Sequence, residues 1–213
     1  MRIALINENS QAPKNAMLFE LLKETAGPKG HEVFNYGRYS REDPHERTYV
    51  QAGLLAGILL NAKAADFVIT GCGTGEGAML ACNSFPNVNC GLVAEPCDAI
   101  LFRRVNDGNA VSMPYAKGFG WGAELNIRNV FEQLFLTEGG AGYPEEWAAA
   151  EKKNKKILEN VQKVTYRDML SILKEMDQGF LKETLAEETF PDLFFKQCEK
   201  GEISDYIHSV LGR

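Results

Sequence analysis

Residues 65–77 of the chain read ADFVITGCGTGEG. The apolar part, Phe67 to Ile69, is rich in β-branched residues and predicts a buried strand. Glycine then occupies every second position, and residues 78–82 (AMLAC) predict the start of a helix. A strand, a glycine-rich turn and a helix start together aim several backbone N–H groups at one point. The thiol of Cys72 lies inside this ring of donors, so we expect the functional site to centre on Cys72.

Strands and helices alternate on both sides of this stretch. Strands are expected at residues 2–6, 31–35, 67–69, 90–93 and 110–113, and the helix after the last of them covers Trp121 to Leu136. This alternation predicts an α/β fold, a Rossmann-like, three-layer, doubly wound parallel sheet of five strands. The site of such a fold lies beyond the carboxyl ends of the strands. Glu8, Asn9 and Cys72 are all expected to emerge at that edge.

The sequence GGAGYP at residues 139–144 breaks the alternation. We therefore predict a Rossmann-like domain over residues 1–140 and a helical C-terminal extension over residues 141–213. The extension shows a long first helix, a second helix over Met169–Met176, and two short helices after Phe190-Pro191. We expect it to pack on the α/β body or on a partner subunit. Lysine and glutamate alternate over residues 145–159, which is typical of a solvated helix face.

Composition limits the possible functions. The net charge of −6 in 213 residues argues against general nucleic-acid binding. The N-terminal apolar run is too short for a signal peptide, and the run Gly53–Leu60 is too short to span a bilayer, so a cytoplasmic protein is expected without membrane contact. The five cysteines are widely spaced without a Cys-x-x-Cys pair, and they predict neither a disulfide framework nor a metal site.

The glycine-rich turn differs from three known phosphate loops. A Walker loop needs lysine where Glu76-Gly77-Ala78 stands, a dinucleotide loop needs a last glycine at Glu76 or Ala78, and a cysteine phosphatase needs arginine at Ala78. A thiol among amide donors readily forms a thiolate, which acts as a nucleophile or a base. Amides beside it can hold an enediolate during proton abstraction next to a carbonyl. The alternative is that Cys72 is a small buried apolar residue, the role expected of Cys82, Cys90 and Cys198. Cys97 fits either role.

Several motifs resemble those of one family. CGTGEG at residues 72–77, ACNSF at 81–85, Glu95-Pro96 and NDGN at 106–109 resemble the signature of the ribose-5-phosphate isomerase B and galactose-6-phosphate isomerase family. The resemblance covers about residues 1–140, and one branch of the family carries a helical C-terminal extension. It implies aldose–ketose isomerisation of a sugar phosphate through a cis-enediol, without metal or organic cofactor. It also implies a homodimer or a dimer of dimers, with the site at the subunit interface.

The resemblance assigns roles to particular residues. Cys72 matches the base, Thr74 and the amides of the following loop match the group that holds the enediolate, and Asn106 matches a residue that binds substrate hydroxyls. The expected catalytic residues are thus Cys72 and Thr74. The expected substrate-binding residues are Glu8, Asn9, Gly73, Gly75, Glu76, Gly77, Asn106 and Asp107.

The chain also departs from the family pattern. Glu8-Asn9 stands in place of Asp-His, and Val105 in place of the histidine assigned to ring opening. After Gly139-Gly140, where the family places arginines that clamp the phosphate, the chain has Ala141, and Glu145 stands near the second arginine position. One hypothesis is a short or acyclic substrate that has no ring to open. In the other, His45 or Asp107 supplies the acid, and Lys117, Arg103 or Arg104 the clamp, although His45 and both arginines are equally typical of a solvated surface.

We therefore expect a cofactor-independent aldose–ketose isomerase that acts on a tetrose, pentose or hexose phosphate with Cys72 as base. The alternative is a non-catalytic small-molecule-binding or interaction protein that retains the isomerase fold. A third possibility is an isomerase of free sugars. Sequence alone does not distinguish the sugar, the oligomer size or the role of the C-terminal helices.

Overall fold

A computed structural model describes residues 1–212 of the chain. Five parallel strands form one sheet in the order β2-β1-β3-β5-β4, and this confirms the predicted α/β, Rossmann-like, doubly wound fold. The strands are β1 (Arg2–Asn7), β2 (Glu32–Asn35), β3 (Phe67–Cys72), β4 (Cys90–Leu92) and β5 (Ala110–Pro114). The helices of the α/β body are α1 (Asn15–Ala26), α2 (Tyr49–Asn61), α3 (Glu76–Cys82), α4 (Pro96–Leu101) and α5 (Ala123–Leu134).

The central strands are apolar on both faces because both faces are covered. In β1, Ala4 and Ile6 pack into one core cluster, while Ile3 and Leu5 pack into the other. The first cluster lies under α2 and α3, and the second lies under α1 and α5. Neither face of β1 meets water, which is why its sequence lacks the polar alternation of a half-exposed strand.

Helix α2 is buried on every side. Each residue from Gln51 to Leu59 is buried, as expected for a helix that is hydrophobic all round. Its inner face packs on the sheet and on α3, and glycine permits this close approach, since a Cβ at Gly53 would lie 2.5 Å from the Cβ of Ala81. The outer face of α2 is covered by helices of the C-terminal extension. The helix begins with a capping box in which Thr48 and Gln51 each bond the other's backbone.

The extension contains α6 (Ala148–Thr165), α7 (Met169–Glu175), α8 (Gln178–Leu185), α9 (Phe190–Gln197) and α10 (Glu202–Val210). The sequence indicated four of these helices and missed α8. Leu181 and Leu185 of α8 join Leu173, Phe194 and Ile207 in the core cluster over α2. The expected packing of the extension on the α/β body is therefore present for α7 to α10. Among residues 1–212, no helix is long and apolar enough to cross a membrane.

Candidate functional site

Cys72 is the last residue of β3, at the carboxyl edge of the sheet. Its side chain is half-buried, and its Sγ accepts a hydrogen bond from the amide of Gly75 at 3.2 Å. Gly75 adopts a left-handed conformation with φ of 81°, and a Cβ there would lie 2.6 Å from Leu92. Glycine is thus required at the point where the chain turns from the strand into α3. The turn brings the amide of Gly75 to the sulfur, which is one of the several donors that the sequence predicted.

The rest of the loop is fastened to the strand beside it. The carbonyl of Gly73 accepts the amides of Ala116 at 3.0 Å and Lys117 at 2.8 Å. The hydroxyl of Ser112 donates to the carbonyl of Gly75 at 2.6 Å. These bonds fix the loop before any ligand arrives, so its donors are preorganised.

The predicted partners Thr74 and Glu76 lie on the outer side of the loop. Both are exposed, and the amide of Glu76 donates to the Thr74 hydroxyl at 3.3 Å. The Thr74 hydroxyl therefore lies beside the helix start, available to a molecule bound at the edge. Gly77 packs under the ring of Tyr49, where an added Cβ would lie 3.3 Å from a ring carbon.

Glu8 and Asn9 emerge at the same edge as Cys72, since Asn7 of β1 pairs with Gly71 of β3. Glu8 is only 8% exposed, and its carboxylate accepts the amide of Ser10 at 2.9 Å and also the Ser10 hydroxyl. It caps the 3₁₀ turn that follows β1. The geometry therefore places Glu8 as a structural cap as well as a neighbour of the thiol loop.

The side chain of Asn9, just after β1, is hydrogen-bonded to the loop that follows β2. Its Oδ1 accepts the Arg38 guanidinium at 2.9 Å and the amide of Arg47 at 2.6 Å, while its Nδ2 donates to Glu46. Arg38 and Arg47 were missed by the sequence analysis. Their loop is polar and looks solvated in sequence, yet Arg47 is 2% exposed. Burial lowers the pKa of the Arg47 guanidinium, and the nearby carboxylate of Glu187 opposes this shift.

Asn106 and Asp107 lie at the opposite edge of the sheet. They precede β5, whose first residue, Ala110, pairs with Val68, whereas Cys72 pairs with the last residue, Pro114. Four strand steps of about 3.3 Å thus separate this turn from the thiol, or about 13 Å. One protomer does not bring the predicted residues of the two edges together.

A cavity of about 480 Å³ opens at this amino edge. Val105 and Asn106 line it, together with Glu151, Lys155 and Leu158 of α6. Lys155 departs from the expected solvated helix face, because it is half-buried and its Nζ donates to Asp107 at 2.5 Å.

The proposed substitutes for the missing histidine and arginines are spread over both edges. Arg103 bonds Asp107 at 3.4 Å and lies over the ring of Phe67, at the amino edge. Arg104 lies over Tyr143. His45 is half-buried and faces Asp43 at 3.1 Å, so it is not the freely solvated histidine that the alternative assumed. Lys117 is exposed beside the thiol loop.

The other cysteines divide as follows. Cys82 and Cys90 are buried, as expected for packing residues, while Cys198 is half-buried and Cys97 is exposed. Within residues 1–212, no group of three His, Cys, Asp or Glu side chains is arranged to hold a metal ion.

The fold and the thiol loop at its carboxyl edge place the chain in the class of α/β enzymes with a site at the strand ends. The profile of the Ribose/Galactose Isomerase family matches residues 3–140, and a second profile, described as Ribose-5-phosphate isomerase, matches residues 164–210. The chain therefore belongs to the Ribose/Galactose Isomerase family. The expected class of enzyme, an aldose–ketose isomerase, is confirmed.

Solved structures resemble the chain over its whole length. One, a 4-deoxy-L-threo-5-hexosulose-uronate ketol-isomerase complexed with a tartrate, is 60% identical with a TM-score of 0.98, covering 100% of both chains. Another, the ribose-5-phosphate isomerase LacAB_rpiB from Vibrio parahaemolyticus, is 48% identical with a TM-score of 0.95, covering 99% of both. The type B ribose 5-phosphate isomerase of Trypanosoma brucei shares the fold alone, at 18% identity, a TM-score of 0.63 and coverage of 75% of this chain and 97% of that one. No curated protein sequence matches the chain significantly.

Proposed function

We propose that the protein is a ketol-isomerase of a deoxy-keto-hexuronate, of the kind named 4-deoxy-L-threo-5-hexosulose-uronate. The observation that carries the proposal is Val105, which stands where the family has a ring-opening histidine. It is supported by the 60% identity over the full chain with a ketol-isomerase of that compound. The sequence-based expectation of a sugar phosphate is retained as the second candidate.

The proposed substrate has no ordinary sugar ring to open. The name describes an aldehyde at C1, a methylene at C4, a ketone at C5 and a carboxylate at C6. With no hydroxyl at C4 or C5, neither of these positions can close a furanose or pyranose ring onto C1. An acid for ring opening is then unnecessary, and a valine at position 105, which cannot transfer a proton, is compatible with turnover.

The same compound also carries no phosphate. The expected clamp positions hold Ala141, which is half-buried, and Glu145, which is exposed. A carboxylate at Glu145 would repel a phosphate dianion rather than bind it. The loss of both clamps therefore fits a substrate whose anionic group is different and is held elsewhere.

In the proposed reaction the Cys72 thiolate removes the proton from C2. The C2–H electron pair forms the C1–C2 double bond, and the aldehyde oxygen takes up the charge as an enediolate. The amides of the thiol loop stabilise that oxygen, each worth about 10²–10³ in rate. The proton then returns from Cys72 to C1 while the C2 hydroxyl proton passes to the C1 oxygen, which leaves a hydroxyl at C1 and a ketone at C2. Atoms and electrons balance without a cofactor.

We further propose that a second copy of the chain completes each site, in a homodimer or a dimer of dimers. Asn106 and its cavity lie at the amino edge, out of reach of Cys72 in the same protomer. Helix α6, which borders that cavity, has no buried residue, and Ile157, Leu158, Val161 and Val164 on it are 50–87% exposed. Exposed apolar side chains on one helix face are typical of an interface. A second copy seated there would bring its thiol loop to Asn106.

The test is a substrate panel in deuterated water. The protein is incubated with 4-deoxy-L-threo-5-hexosulose-uronate, ribose 5-phosphate and free ribose, and deuterium at C1 and C2 is followed by NMR. The proposal expects conversion of the uronate with deuterium uptake, and at least tenfold slower exchange on ribose 5-phosphate.

The second candidate, a sugar-phosphate isomerase, is favoured by the 48% identity with a protein named ribose-5-phosphate isomerase. Rapid exchange on ribose 5-phosphate with none on the uronate would establish it in place of the first. Deuterium exchange on free ribose alone would instead support the third possibility, an isomerase of free sugars.

A further inference from the structure

A cationic group without a carboxylate partner lies at the carboxyl edge, on the loop between β2 and α2. The Arg38 guanidinium donates to Asn9 Oδ1 at 2.9 Å and to the carbonyls of Arg41 at 3.1 Å and Asp43 at 2.6 Å. All three acceptors are neutral. Of the five guanidinium N–H donors, two remain: one on Nη1, and the Nε, which is buried without a partner.

The salt bridges found among residues 1–212 do not include Arg38. Arg2, Arg103, Arg128 and Arg167 each have a carboxylate oxygen within 4.0 Å, whereas Arg41, Arg47 and Arg104 lack one in the described part of the chain, as Arg38 does. Glu46 lies near, but its carboxylate takes the other end of the Asn9 amide. The hydrogen bonds of this half-buried guanidinium go to neutral groups, and the exposed Glu42 carboxylate interacts with it through space, so Arg38 can still donate to an incoming anion.

The position of this guanidinium suits a six-carbon substrate. Asn7 and Gly71 are neighbours across the sheet, so Asn9 and Cys72 emerge from strand ends about 5 Å apart. Five C–C bonds of about 1.5 Å span about 6 Å between C1 and C6 of an open chain. With the thiol at C2, the four bonds from C2 to C6 span about 5 Å, which matches the spacing of the two strand ends and directs C6 toward Asn9, whose Oδ1 holds the Arg38 guanidinium.

The loop that carries Arg38 is hydrogen-bonded to the C-terminal extension. The Tyr39 hydroxyl lies 2.6 Å from the Thr189 hydroxyl and donates to Glu187 at 3.2 Å, and Glu187 is 5% exposed. The amide of Arg38 also donates to the carbonyl of Asn7 at 3.0 Å. A guanidinium fixed at both its backbone and its head group is preorganised for one ligand geometry.

We propose that Arg38 binds the carboxylate of the substrate and so selects an acyclic uronate of this length over a neutral sugar. This rests on the proposed function for the identity of the substrate. Asn9 orients the guanidinium, and the extension, through Glu187 and Thr189, fixes the loop that carries it. The C-terminal helices thereby acquire a role in specificity.

The kinetic test compares two substrates in two variants. The substrates are the uronate and its neutral analogue, in which C6 is a primary alcohol. Arg38→Gln should lower kcat/KM on the uronate about 10- to 100-fold, the range for a lost charge-assisted hydrogen bond, and leave the analogue at the wild-type value. Arg41→Gln, on the exposed arginine of the same loop, is the matched control and should change neither. Thermal unfolding checks that both variants fold.

A binding test is independent of turnover. Tartrate, a small dicarboxylate, is titrated by calorimetry into the wild type and both variants; Arg38→Gln should weaken binding at least tenfold and Arg41→Gln should not. The inference would be overturned if Arg38→Gln lowered kcat/KM equally on the uronate and the analogue, or if Arg38→Gln and Arg41→Gln gave the same result. The proposed function would still stand in that case, provided that the wild type turns over the uronate. If no uronate is turned over but tartrate binding is lost only in Arg38→Gln, the carboxylate site stands and the proposed function falls. A wild type that binds no tartrate and shows no preference for the uronate over the analogue contradicts the site.

Discussion

The two edges of the sheet carry the two halves of the candidate site in different ways. At the carboxyl edge, Cys72 and its loop are contiguous in sequence and are fastened by Ser112 and the residues after β5. At the amino edge, Asn106 comes from the turn before β5 and borders a cavity whose far wall is α6. The carboxyl-edge residues lie together within one protomer. The second half faces outward.

This difference teaches that motif order along the chain does not imply closeness in space. The glycine loop comes before the NDGN turn in sequence, yet the two lie at opposite edges of the sheet. The glycine loop follows the carboxyl end of β3, whereas the NDGN turn precedes the amino end of β5. We infer that the edges meet only between copies of the chain. Four experiments test the comparison.

The largest effect is expected at the carboxyl edge. Cys72→Ala removes the proposed base, and we expect kcat to fall about 10²–10⁴-fold, as for loss of a general base. Cys97→Ala, an exposed cysteine, is the control and should retain wild-type activity. Steady-state rates with the uronate measure both. Deuterium uptake that survives in Cys72→Ala would refute the assignment of the base.

The next experiment asks whether one site draws on both edges of different subunits. Cys72→Ala and Asn106→Ala are each expected to be weakly active alone. When equal amounts of the two variants are unfolded together and refolded, half of the dimers should contain one chain of each variant. Each mixed dimer has one intact site, so activity should return to about a quarter of the wild-type value. The control is each variant refolded alone. If the mixture is no more active than its components, the two edges do not share a site.

A smaller effect is expected from the exposed face of α6. Leu158 is 51% exposed and borders the cavity, and Leu158→Glu places a charge in the proposed interface at a cost of about 2 kcal/mol or more. We expect a shift from dimer to monomer by sedimentation, with lower activity and an unchanged circular dichroism spectrum. Lys153→Glu, on an exposed residue of the same helix, is the control. A dimer that persists in Leu158→Glu would place the interface elsewhere.

The smallest effect concerns acid and the loop that carries Arg38. Burial opposes ionisation of Asp43, but hydrogen bonds from the amides of His45 and Tyr39 and from the His45 ring outweigh it and hold the pKa of this carboxyl below its usual range. Because the folded pKa is depressed, Asp43 stabilises the loop above the unfolded pKa of about 4, and this contribution is lost as pH falls through the folded value.

Asp43→Asn should therefore increase the rate of hydrogen exchange at the Tyr39 and His45 amides about fivefold at pH 6. The difference in exchange rate between the variant and the wild type should shrink at low pH, where Asp43 is protonated. Glu42→Gln, at an exposed carboxyl of the same loop, is the control. Exchange in Asp43→Asn that matches the wild type at pH 6 would show that Asp43 does not hold the loop.

The sequence predicted the elements of the α/β body well because they are strongly periodic. Helix α2 is almost entirely apolar and ends at Asn61, close to the left-handed Lys63. Helix α8 was missed because it is short and its buried apolar side chains, Leu181 and Leu185, form a single i, i+4 pair. The burial of this pair becomes evident only in the folded structure, where it packs on α2.

The sequence by itself determined the parallel sheet and the thiol loop, while the class of reaction came from the resemblance of its motifs to a known family. These depend on local patterns, namely buried strands and a glycine turn whose backbone geometry no other residue adopts readily. The tertiary structure alone decided that Lys155 bonds Asp107 and that Arg38 lies on Asn9 without a carboxylate partner. A side chain's charge is visible in sequence, but its burial and its partners depend on segments that are distant in sequence and become neighbours only on folding.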